Sequence, residues 1–103
     1  MKTIKIFEHT GDFAENKDIA RDLRKDVIEP ELKAGNKIEI DFFGVPSATQ
    51  SFIHALISQT IRTYGVEILD KVIFKNCSEK IKTIIRIVVE YVQDGINANS
   101  EEE

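Results

Sequence analysis

The chain has one cysteine, two prolines, no long apolar run and no excess of positive charge. A lone thiol, Cys77, forms no internal disulfide, and no cysteine cluster is present to hold zinc. No apolar stretch approaches the ~18 residues of a membrane span, and no signal-peptide pattern opens the sequence. These absences predict a soluble cytoplasmic protein with no membrane partner. Acids number 18 against 14 bases; Glu101, Glu102 and Glu103 account for three of the acids, so the remaining 100 residues are almost balanced. A phosphate backbone demands a basic stripe, and none is apparent, which argues against nucleic acid as a partner. His9, Asp12, His54 and Cys77 are scattered without metal-ligand spacing, so no metal or other cofactor is expected.

What is present is a globular balance: 42% apolar and 31% charged residues in 103, enough for one domain. Residues 1–95 read as that domain and residues 96–103 as an unstructured acidic tail. Lys2–Phe7 alternates polar and apolar, putting Ile4 and Ile6 on one face of a strand. His9-Thr10-Gly11-Asp12 reads as a turn. From Asn16 to Ile28 the period becomes helical, with Ile19, Ala20, Leu23 and Val27 inward, and Lys17, Asp22, Arg24, Lys25 and Asp26 toward water. Pro30 is expected to end or kink this helix, because the residue before a proline disfavours the helical region.

A second strand covers Lys37–Phe43 and breaks at Gly44-Val45-Pro46. A helix follows from Ser47 or Thr49 to Tyr64, with Gly65 as its stop. Val72-Ile73-Phe74 reads as a short buried strand. A last helix runs from about Ser78, its cap, to Gln93, with Gly95 after it. Alternating strands and helices predict an α/β fold: a small sheet, parallel or mixed, with three main helices packed on it.

The segment Asp41–Phe52 carries the most information. A strand leads through a polar loop into a helix rich in hydroxyls at its start, where unpaired N–H groups and the positive dipole end gather. Ser47-Ala48-Thr49-Gln50 fits a capping box with Ser47 as cap; Thr49 is the other cap and would leave Ser51 in the first turn. Asp41 stands where α/β sheets place ligands, or else hydrogen-bonds the following loop and holds it in shape. The Phe42-Phe43 pair either sends one ring outward, where Phe43 would anchor a partner, or buries both. His54 follows Ser51 by three residues on one helical face, a spacing that suggests nucleophile and base, yet no orienting third group or Gly-x-Ser-x-Gly elbow accompanies it. Cys77 lies at a strand-to-helix turn, where a helix start lowers a thiol's pKa and burial makes it inert.

The run Ile38-Glu39-Ile40-Asp41-Phe42-Phe43-Gly44-Val45, followed by Ala48-Thr49-Gln50-Ser51-Phe52-Ile53-His54-Ala55-Leu56 and then Val72–Ser78, resembles the STAS-like family of unknown function. These are small bacterial domains related to sulfate-transporter domains and anti-sigma-factor antagonists. The resemblance implies a STAS-like fold with a small mixed β-sheet. Anti-sigma-factor antagonists carry an Asp-Ser-Ser-Gly element at this helix start, and many are phosphorylated on its second serine. Counted from Asp41, Thr49-Gln50-Ser51-Phe52 lies on that element and Ser51 on the acceptor position; Thr49 stands for the acid, Gln50 for the first serine and Phe52 for the glycine.

The resemblance implies a non-catalytic regulatory module. Its partner would be a protein, a histidine-kinase-like ATPase of the serine-kinase or anti-sigma type. The binding loop would comprise Asp41, Phe43, Gly44, Ser47, Thr49, Gln50, Ser51 and His54, with Ser51 the residue modified. A small-ligand or nucleotide sensor using the same loop is the alternative, and a hydrolase centred on Ser51 and His54 a third reading.

Overall fold

The central strand of the protein is β3 (Ile38–Asp41), paired in parallel with β1 (Lys2–Lys5) on one edge and β5 (Val72–Lys75) on the other. The computed structural model describes the backbone of residues 1–102 and the side chains of residues 1–95. The other elements are α1 (Phe7–Thr10), β2 (Phe13–Ala14), α2 (Lys17–Leu23), α3 (Glu29–Lys33), β4 (Ser47–Ala48), α4 (Gln50–Tyr64) and α5 (Glu79–Glu102). All strand pairs are parallel, including the two-residue pair β2–β4, so among the described residues the sheets are parallel and not mixed. Parallel neighbours need a helical crossover between them, and the strand–helix alternation supplies one each time.

Register explains which face of the sheet is core. Ile4, Ile40 and Phe74 stand opposite one another, as do Ile38 and Val72, and these side chains join α4 and its neighbours in one apolar cluster. The opposite row alternates Lys5, Asp41 and Lys75 with Thr3, Glu39 and Ile73. This row is polar and mostly exposed, in a parallel sheet, where helices ordinarily cover both faces. It is laced by Thr3 donating to Glu39 at 3.4 Å and by the Lys75–Glu39 ion pair at 3.7 Å.

α4 supplies the main helical contribution to the core. Phe52, Ile53, Leu56, Ile57 and Ile61 are buried, and the helix packs against both α2 and α5. The short elements α1, β2, α3 and β4, a 3₁₀ turn and a π turn were not foreshadowed by sequence pattern, and α1 takes in Phe7, expected in the first strand, and His9 and Thr10, expected in a turn. Val66–Lys71 forms a 3₁₀ turn feeding β5, and Arg24–Ile28 forms a π turn joining α2 to α3.

The π turn corrects the expected role of Pro30. The helical path continues through Lys33, with Pro30 in the first turn of α3. In the wider turn Glu29 N–H bonds to the Arg24 carbonyl, and the N–H that proline lacks is not called on. Arg24 is also not a water-facing residue. Its side chain, 15% exposed, reaches across to α4, where Nε donates to the Ala55 carbonyl at 3.3 Å and the guanidinium pairs with Glu29 at 3.4 Å. Glu29 in turn accepts from Thr60 Oγ1 at 3.3 Å.

At the far end, α5 continues through Gly95, which has no positive φ and costs a helix interior only about 1 kcal/mol. The predicted stop at Gly95 is therefore not observed. The side chains of the acidic end, residues 96–103, lie outside the described residues.

The two-faced sheet makes a prediction. Ile40→Ala, in the central strand, should cost about 2–5 kcal/mol. Thr3→Ala, on the outer row, should stay within about 0.5 kcal/mol. Denaturant unfolding of the two variants measures both.

Candidate functional site

Asp41 ends β3, and its side chain turns the chain there. Its Oδ1 accepts from Phe43 N–H at 2.9 Å and from Asn76 Nδ2 at 2.9 Å, so one carboxylate ties the loop after β3 to the loop after β5. The turn closes when Val45 N–H donates to the Phe42 carbonyl at 2.9 Å. Gly44 sits third in that turn at φ 81°, which a side chain rarely adopts, and a Cβ there would meet the Phe7 ring at 3.1 Å. The outcome for the paired rings is opposite burial: Phe42 is 1% exposed and Phe43 75%. Beyond the turn, Ser78 Oγ donates to the Pro46 carbonyl at 2.8 Å while accepting from Ile81 N–H at 3.1 Å, which caps α5 as expected. The loop 42–46 is thus held from both Asn76 and Ser78. Asn76 itself adopts φ 57°, the left-handed region that asparagine tolerates.

The start of α4 resolves the choice of cap. Thr49 is the N-cap, its Oγ1 accepting from Phe52 N–H at 3.1 Å. Ser47 is a half-buried residue of β4, pairing beside Phe13, and does not cap the helix. Thr49 N–H donates to the Ala14 carbonyl at 2.9 Å, which fixes the helix start to β2. Gln50 and Ser51 are exposed in the first turn. His54 is half-buried one turn on; its Nδ1 lies 3.3 Å from Ser58 Oγ, and its ring meets Tyr91 of α5 edge-on at 6.3 Å. The serine beside His54 is Ser58, not Ser51.

The electrostatics follow from these contacts. The hydrogen bonds from Asn76 and Phe43 hold the Asp41 carboxyl below the ordinary carboxylate value, and Lys75 and Lys5 add to the effect. Cys77 goes the other way: burial pushes its thiol up, with Lys82 only partly opposing. Of the two readings of Cys77, burial prevails over the helix start, in keeping with a partly buried, inert thiol.

The residues singled out in the sequence do not share one cavity. Asp41, Phe43 and Gly44 line a recess of about 290 Å³ together with Lys5, Phe7 and Glu8. His54 lines a different groove, between α2 and α4. Ser47, Thr49, Gln50 and Ser51 belong to the strand-to-helix connection between them. Sequence reading missed Lys5 and Phe7; the signal for Lys5 was there, since parallel pairing of the two predicted strands sets it opposite Asp41. Asn76's role had no local signal. Among the described residues no group of three or more His, Cys, Asp or Glu side chains could hold a metal ion, and no helix is long and apolar enough to cross a membrane.

Two predictions follow from this geometry. Thr49→Ala should destabilise the protein by about 1 kcal/mol, whereas Ser51→Ala should change stability by less than about 0.5 kcal/mol in the same unfolding experiment. Asn76→Ala should raise the Asp41 pKa toward the ordinary value of about 3.9, read by carboxyl NMR titration. Because the folded pKa is depressed, Asp41's contribution to stability is full above about pH 4 and is lost as pH falls through the depressed value.

Comparison with known proteins bears on the same segment. The family model described as a STAS-like domain of unknown function matches residues 20–82, from α2 through the loop, α4 and β5 into the first turn of α5. No curated protein and no solved structure matches the chain. The match covers more than half of the 103 residues and includes the pinned turn and the helix start: the chain belongs to the family of STAS-like domains of unknown function.

Proposed function

We propose that this domain is a non-catalytic regulatory module that docks a protein partner through the turn after β3. The observation that carries the reading is Phe43: a large apolar ring, 75% exposed, on a turn pinned by Asp41 and Asn76. An aromatic side chain on a fixed turn has only two torsions to order on docking and is the residue type that anchors interfaces. Phe7, 51% exposed, lines the same recess and enlarges the apolar surface. By the resemblance to anti-sigma-factor antagonists, the partner is a histidine-kinase-like ATPase.

Ser51 is the proposed switch. Its hydroxyl is exposed in the first turn of a 15-residue helix. A phosphate there adds a charge of about −1.5 to −2. The helix dipole tolerates it, so the fold is kept while any surface docked on the loop meets a hydrated anion.

The recess of about 290 Å³ between Phe7 and Phe43 supports a second reading, a small-ligand or nucleotide sensor, with a planar group between the rings and Lys5 beside it. Co-purification from the native host with wild type, Phe43→Ala, Ser51→Ala and Ser51→Asp as baits separates the two. The regulatory reading expects one ATPase-like protein held by wild type and Ser51→Ala, and lost with Phe43→Ala and Ser51→Asp. Identical recoveries from all four baits overturn it. Saturable binding of a nucleotide that Phe43→Ala abolishes favours the sensor.

A further inference from the structure

The groove between α2 and α4 lies apart from the turn after β3 and is chemically unlike it. Its volume is about 340 Å³, within the usual ~300–1,000 Å³ of small-molecule clefts. Its lining is mostly polar: Lys17, Arg21 and Arg24 come from α2 and the π turn, and His54, Ser58 and Arg62 from α4. The chain carries a net charge of −4, yet this groove gathers four of its 14 cationic side chains.

How those cations are engaged decides what the groove can hold. Arg24 is committed, locked between the Ala55 carbonyl and Glu29. Arg21 contacts Asp18 at 3.3 Å and Asp22 at 3.7 Å, but all three side chains are more than half exposed. Such pairs contribute little and exchange readily. Among the described residues Lys17 and Arg62 make no ion pair. Two neutral groups complete the lining: the Ser58 hydroxyl, buried and in contact with His54, and the Gln59 amide, which donates to Thr63 Oγ1 at 3.4 Å. Exchangeable cations from two helices around a hydroxyl and an imidazole form a donor set for a multiply charged oxyanion. Guanidinium forks match phosphate oxygens in pairs. Asp18, the one acid of the lining, is already turned to Arg21.

We propose that the α2–α4 groove binds a phosphate-bearing small anion, either inorganic polyphosphate or the phosphate chain of a nucleotide, through Lys17, Arg21 and Arg62. This site does not depend on the docking turn or on Ser51. Outside the groove the chain has ten bases against 17 acids, so the groove is its densest gathering of cations over acid.

The test is an amide-shift titration of the full ¹⁵N-labelled chain, at low salt, with inorganic pyrophosphate, ATP and adenosine in separate arms. Saturable shifts confined to 17–24 and 54–62 are expected with pyrophosphate and ATP, and none with adenosine. Equal affinities for the two indicate recognition of phosphate alone, and tighter ATP binding a nucleotide source; both support the site. Arg62→Glu should weaken binding about tenfold, the size of one charge-assisted contact. Lys17→Glu gives a second reading at another exposed position, and Phe43→Ala should bind as wild type. The spectra of the variants report at once that each is folded. The proposal is overturned if pyrophosphate gives no saturable shift, if the shifts centre on residues 43–51, if adenosine binds as well as ATP, or if Arg62→Glu and Lys17→Glu bind like wild type.

Discussion

The hydrogen bonding of β3 on both edges is the constraint from which the rest of the molecule follows. A strand fixed by neighbours on each side has no freedom of register, and a shift of one residue would exchange Ile38 and Ile40 for Glu39 and Asp41 in the core. The position where the chain leaves the sheet is therefore fixed as well. Asp41 occupies it, and its carboxylate converts that fixed point into a fixed turn by binding the next strand's loop through Asn76. The exposed Phe43 inherits its position from the sheet, three links down this chain of causes.

Much of this was legible in the residues. Period-two alternation located β1 and β3, helical spacing located α4 and α5, and of the two roles the sequence leaves open for Asp41, ligand position or loop brace, the bond from Phe43 N–H shows the brace. The choice of Thr49 over Ser47 as cap was not decidable locally, because both fit the pattern; the two-residue pairing of Ser47 with Phe13 settles it, and two residues carry no periodicity. The Asp41–Asn76 bond spans 35 positions and leaves no trace in either neighbourhood. Arg24 looked solvent-facing because its helical phase says so; the α4 carbonyl that receives it belongs to another part of the chain. Gly95 looked like a stop, but with no left-handed turn to fill it is only a weak helix former.

The site is divided between two kinds of surface. The turn after β3 is apolar and pinned, which suits recognition by shape, while the α2–α4 groove is polar and its exposed cations can rearrange, which suits recognition by charge. α4 takes part in both: its capped start follows the turn, and its middle lines the groove. His54, between Ser58 and Tyr91, also joins the groove to the α4–α5 contact.

The π turn at 24–28 bears on how this chain tolerates changes in length. Leu23 and Ile28, both buried, are five residues apart. At about 100° per residue an unbroken α-helix would point them roughly 140° apart, one of them into water. The wider turn brings both back over the core by holding one residue more than an ordinary turn. It is a reserve of chain length within the helical path. Deleting one residue there would tighten the turn to ordinary pitch and return the downstream face to the phase of the upstream one. The same deletion in the middle of α4 would rotate Thr60 and Ile61 out of the core. Length variation among related sequences should gather at the first place and be missing from the second.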